Sequence, residues 1–214
     1  MKAPRIAAAL AALAIVGLTP AAAHAAPVTL SAGHVDILDV DYAAGALSLD
    51  VLDGTGATEV ERAPADVVFQ VPAAAKVTVP SGSAWSFLGT PGSTAWVLPQ
   101  AQQANLLFAG WNTLGVPAGA LQPNSVTVRL NSVTGPGRFS VYTTGSFGTP
   151  TKLFDSGDGL PDNLSVSRNV HAHANWAFSA AGTYTVTFEV TVQLASTGAV
   201  VSTGAKAYTF SVLN

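Results

Sequence analysis

The segment NVHAHANWAF, Asn169 to Phe178, sets two histidines two residues apart. On a β-strand, residues i and i+2 point to the same face. His171 and His173 therefore project together, with Asn175 next in the series. Imidazole suits Zn, Cu, Fe and Ni, and His-x-His on a strand supplies two ligands to one ion. Zinc takes four, so the pair needs partners. The segment GHVD, Gly33 to Asp36, offers them, because His34 and Asp36 share a face by the same alternation. Convergence of the two segments would give three nitrogens and one oxygen. That set suits Zn²⁺ and also hosts Mn²⁺ or Fe²⁺. On this reading Asp36 or Asn175 completes or orients the shell. The competing reading leaves His34 capping an edge strand and the pair at 171 and 173 solvated near a loop. Trp176 has the opposite parity to the histidines and is expected to pack beneath their strand.

Other candidates are weaker. Asp155, Asp158 and Asp162 in DSGDGLPD do not match the spacing of an EF-hand loop, and a polar turn is the expected outcome. Cleavage after Ala23 would expose His24 as an N-terminal copper ligand, but a cut after Ala25 suits the sequence at least as well. There is no G-x-S-x-G, H-E-x-x-H, P-loop or G-x-G-x-x-G. Trp85, Trp96 and Trp111 would be a sugar-stacking platform if exposed together, although buried core is the commoner fate of tryptophan.

The elements that must position these residues read as β throughout. Thr183 to Leu194, TYTVTFEVTVQL, alternates apolar and polar residues with period two over twelve positions. This predicts a long half-buried antiparallel strand, partnered after a turn by AYTFSVL, Ala207 to Leu213. Upstream, short β-like runs recur between Gly and Pro punctuation, at 34–40, 46–52, 66–71, 95–98, 105–111, 125–130 and 138–143. Asn131 to Gly137 reads as a turn-rich joint and Gly145 to Asp162 as a longer loop. The expected fold is a single all-β, immunoglobulin-like antiparallel sandwich.

Residues 1–25 read as a signal peptide, leaving 26–214 as the mature domain. Lys2 and Arg5 precede a short apolar run, and Ala23-His24-Ala25 offers the small-x-small cleavage pattern. Removing the leader leaves seven basic residues against twelve acids, a net charge of −5. Eight of the twelve acids lie between Asp36 and Asp66, so there is no basic stripe for nucleic acid. No later run is long and apolar enough to span a membrane. The chain has no cysteine. That excludes disulfides, thiolate catalysis and a lipid-anchored cysteine, and no lipobox is expected.

In order along the chain, LSAGHVDILDVDY, LPQAQQANLLFAGWNT, TGPGRFSVYTTGSFG, FDSGDG and HAHANWAFSAAGTYTVTFEV resemble the actinobacterial surface-anchored protein domain, also called the choice-of-anchor M domain. The resemblance runs from about Leu30 to the end. It implies an exported protein acting beside substrate-binding proteins of metal-type ABC transporters. The hallmark positions matched are His34, Asp36, His171, His173, Asn175 and Trp176. LPQAQ, residues 98–102, is not an LPXTG sorting motif and no hydrophobic tail closes the chain, so free secretion or non-covalent surface retention is expected. The function expected is non-catalytic transition-metal binding that serves metal acquisition. An adhesion or carbohydrate-binding module is the alternative.

Overall fold

The protein is described here by a computed structural model covering residues 25–214. The expected leader and His24 lie outside the described residues, save for Ala25. Among the described residues there is no α-helix. These residues form seventeen strands and three single-turn 3-10 helices, and among them no helix is long and apolar enough to cross a membrane.

The fold is an all-β sandwich of three sheets. A seven-stranded sheet is built around Gly182–Gln193, which pairs antiparallel with Lys206–Val212 on one side and Ser125–Thr134 on the other. The alternation that predicts this strand is seen directly. Tyr184, Val186, Phe188, Val190 and Val192 are buried, while the threonines between them face outward or sit half-buried. A second sheet has Asn175–Phe178 at its centre, between Phe139–Thr144 and Thr94–Leu98. The third runs in the order His171–His173, Leu107–Asn112, Gly33–Ala43, Ala46–Gly54, Val60–Arg62. Pairing is mostly antiparallel, with three parallel ladders.

One contiguous buried cluster draws on all three sheets. Its densest part is aromatic. Phe210 of the first sheet stacks near Trp176, with ring centroids 6.1 Å apart, and meets Phe178 at 5.1 Å and Phe139 at 5.9 Å from the second. Val35, Ile37, Leu38, Val40, Leu49, Val51, Leu107 and Ala109 commit the third sheet to the same core. That fixes its opposite face toward the outside, where the candidate ligands lie.

Two local features differ from the sequence expectation. The loop expected over Gly145 to Asp162 contains the strand Pro150–Asp155, which pairs with Phe139–Thr144. The run Asn169 to Phe178 is not one strand. It breaks at Ala174 into His171–His173 and Asn175–Phe178, which belong to different sheets.

Candidate metal centre

The centre is assembled from three neighbouring strands of the third sheet. Gly33–Ala43 runs parallel to Leu107–Asn112, with Asp36 opposite Gly110 and His34 opposite Phe108. His171–His173 pairs antiparallel on the other side of that middle strand, with His173 opposite Gly110 and His171 opposite Asn112. The two strands that carry the candidate ligands are therefore not neighbours. Adjacent strands sit about 4.8 Å apart, so side chains two strands away meet only by leaning across the one between. A glycine in a strand interior often marks such a close approach, and Gly110 is that residue here.

Donor atoms of His34, Asp36, His171 and His173 all lie within 4.8 Å of one another. His34 Nε2 is 3.2 Å from His171 Nε2, and His171 Nε2 is 3.0 Å from Asp36 Oδ1. His34 Nε2 is 3.8 Å from Asp36 Oδ2. These separations resemble the ~3.3 Å edges of a tetrahedron whose metal–nitrogen bonds are ~2.0–2.1 Å. Asp36 is buried, with 1% of its surface exposed, while His171 is open to solvent. The site is thus a carboxylate floor under a rim of imidazoles.

The aromatic ring of Phe108 fixes the third imidazole. His173 lies flat on it, with centroids 3.5 Å apart and planes 9° from parallel. Burial, and then the neighbouring His171 and His34, push the His173 imidazole down to about 4. It is therefore neutral at physiological pH, the form that binds metal. Its Nδ1 is buried with no hydrogen-bond partner. A bound ion would satisfy that atom, which otherwise costs the desolvation of a buried polar group. Burial also raises the Asp36 carboxyl above its ordinary range, opposed by His171 and His34. A cation would reverse that penalty. The donor set, the geometry and the unsatisfied nitrogen all fit a divalent transition metal.

Sequence reasoning did not single out Phe108, Gly54 or Gly110. A Cβ on Gly110 would come within 2.6 Å of the Ala172 carbonyl oxygen, 2.7 Å of His173 Nδ1 and 2.8 Å of Asp36 Oδ1. One on Gly54, opposite His34, would come within 2.6 Å of His34 Nδ1. The signal available was an isolated glycine inside the strand-like run NLLFAGW. Gly110→Ala is expected to weaken zinc binding by about 10–100-fold, as displaced supporting groups do, and to cost about 1–3 kcal/mol through overpacking. Zinc calorimetry and urea melts of the variant measure the two effects.

Asn175 does not join the four clustered side chains. The switch of sheets at Ala174 carries it away, and its amide is occupied elsewhere. Asn175 Oδ1 accepts from the Gln100 backbone at 2.9 Å, and Nδ2 donates to Gln100 Oε1, the Tyr142 carbonyl and Thr144 Oγ1. Trp176 is core, not a neighbour of the ligands. It is 1% exposed and packs on Phe139, Phe188 and Phe210. The acids of DSGDGLPD form a turn closed by Lys152, whose Nζ reaches Asp155 at 2.9 Å and Asp158 at 2.6 Å, while Asp162 accepts from the Asp155 backbone. The tryptophans make no exposed platform. Trp96 is buried with its indole N–H on the Leu213 carbonyl, Trp111 packs against the core, and half-buried Trp85 lies against Phe87 and Tyr142.

Compared with known proteins, the chain matches no family model, no curated protein and no solved structure.

Proposed function

We propose that this protein is a secreted, non-catalytic module that binds a transition metal of the Zn or Mn type through His34, Asp36, His171 and His173. The observation that carries the reading is the convergence of those four donor groups within 4.8 Å. Four protein ligands close a tetrahedral shell, the arrangement of sites that hold zinc rather than of sites that keep a position open for substrate. Service to an ABC-type metal transporter, through its substrate-binding protein, follows from the resemblance of the ordered motifs to the surface-anchored domain. Export follows from the leader-like first 25 residues.

Calorimetry with Zn²⁺ and Mn²⁺ on the mature domain tests the reading, with glycans as the contrasting ligands. One ion per chain is expected, and no response to sugars. Protons compete for imidazole nitrogens, so zinc affinity should fall from about pH 7.5 to about pH 5 and binding should release protons. His173 stays neutral down to about 4 and remains available over that whole range. A zinc affinity that ignores pH would remove the histidines from the shell.

A further inference from the structure

Beside the histidine cluster, the same outer face carries a run of carboxylates that the metal centre does not use. A β-bulge creates it. Ile37 and Leu38 together occupy one step of the ladder between Asp36 and Asp39. That extra residue reverses the parity, so Asp39 and then Asp41 fall on the same face as Asp36. Asp39 stands opposite Asp50 on one side and Asn112 on the other. Glu61, on the next strand, stands opposite Leu52, and burial and then the charge of Asp50 raise its carboxyl.

Two observations go beyond the mere collection of acids. Asp39 is 5% exposed, and its Oδ1 has no hydrogen-bond partner. An unsatisfied, buried carboxylate oxygen surrounded by other carboxylates is costly unless a proton or a cation reaches it. The second is a space left for Asp41. Gly115 sits where any Cβ would overlap the Asp41 carboxylate, so its lack of a side chain gives that group its position. Among the described residues, no lysine or arginine is among the groups that shift Asp39, Asp41 or Glu61. The groups acting on Asp39, Asp41 and Glu61 are other acids and Asn112, and all three carboxyls are held above their ordinary range, chiefly by burial. The nearby Arg62 is committed to Asp53, at 2.8 Å.

We propose that Asp39, Asp41, Asp50 and Glu61 form a second, all-oxygen cation site that takes a hard divalent ion of the Ca²⁺ or Mg²⁺ class together with its waters. Oxygen donors without nitrogen select hard cations. Among the described residues, only the histidine cluster brings three or more donor groups within 4.8 Å of one another. The four acids do not close to that distance as a group, so the ion proposed for them is one that keeps part of its hydration shell and reaches some carboxylates through water, as Mg²⁺ commonly does. The site does not depend on the histidines.

The test is a set of thermal melts and calorimetric titrations with Ca²⁺ and with Mg²⁺ at constant ionic strength. Three proteins are compared: the unaltered mature chain, His171→Ala/His173→Ala and Asp39→Asn/Asp50→Asn. One of the two ions, at about 1 mM, should raise Tm by about 2–4 °C in the first two proteins and not in the third. The Asn variant should keep its zinc binding. Asn is isosteric with Asp and removes repulsion, so the variant should fold; Asp41→Asn/Glu61→Gln replaces it if it does not. No response of the unaltered protein to either ion overturns the proposal. So does an equal response in the Asn variant, which would mark diffuse charge attraction. Loss of both zinc and hard-ion binding in that variant would show one shared site and overturn it too. Because the readout persists without His171 and His173, a failure of the zinc reading leaves this result separately legible.

Discussion

Replacing His171 and His173 with alanine should strip zinc from the purified domain and weaken its affinity by at least about 100-fold, more than displacing a supporting group does. Both residues lie on one three-residue strand, and together they supply half of the four-donor set. Zinc keeps a tetrahedral shell of nitrogen, sulfur or oxygen, and His34 with Asp36 leaves two positions to water. The unaltered protein should also melt higher with zinc than without, because an ion bound only by the folded chain stabilises it by mass action. The double variant should lose that increment while folding normally, since His171 is exposed and His173 half-buried. Asn175→Ala serves as the contrast and should keep full zinc affinity, because its amide serves Gln100, Tyr142 and Thr144. Equal metal content in the unaltered and double-variant proteins would sink the four-ligand site.

Phe210→Ala should be the most damaging single change to stability, costing about 3–5 kcal/mol as aromatic truncations in cores do. Phe210 is fully buried, and its ring lies within 5.1 Å of both Phe69 and Phe178, centroid to centroid. It meets three rings of the second sheet, Phe139, Trp176 and Phe178, so the surrounding rings cannot all collapse into the space left behind. For a domain near 190 residues, each kcal/mol moves Tm by about 2–4 °C, so a fall of roughly 6–20 °C is expected in a calorimetric melt. With a typical total stability of about 5–15 kcal/mol, the variant would sit near the limit of folding. Phe210→Leu fills most of the volume and should cost markedly less. A Phe210→Ala protein melting within a degree or two of the unaltered one would mean that the sheets do not depend on this contact.

The long strands were legible in the sequence because each has neighbours on both sides and one buried face, which forces strict alternation. Gly182–Gln193 and Lys206–Val212 are the clearest cases. The strands that escaped notice share a position. Val28–Leu30, Val60–Arg62, Lys76–Thr78, Pro150–Asp155 and Asp162–Ser167 all stand at sheet edges, and Val200–Ser202 pairs only with Gly182–Gln193. An edge strand has one partner and much exposed surface, so its residues need not alternate. The four candidate ligands were legible through scarcity and parity. Their support was not. Parity says which side chains share a face along one strand, but not that Leu107–Asn112 lies between the two ligand strands or that Gly110 must be bare. Parity also misled at Asn175, because period-two reasoning assumes that a strand stays in one sheet. The turn of the chain at Ala174, itself fully buried, ends that assumption. The bulge at Ile37 and Leu38 did the same for Asp39, whose spacing from Asp36 puts it nominally on the opposite face.

The position of His171–His173 has a consequence for association between molecules. Among the described residues it is the outermost strand of its sheet, so one edge of it pairs with no other described strand. Such a border invites a strand from another chain to zip onto it. Three residues give an incoming strand little length to grip, and the chain then dives inward at Ala174. Imidazoles tied to an ion would also pin the strand against Gly110 and keep it from peeling outward. The ion would thereby act as a guard against fibril-like self-association, protecting the sheet at the place where its own hydrogen bonding runs out.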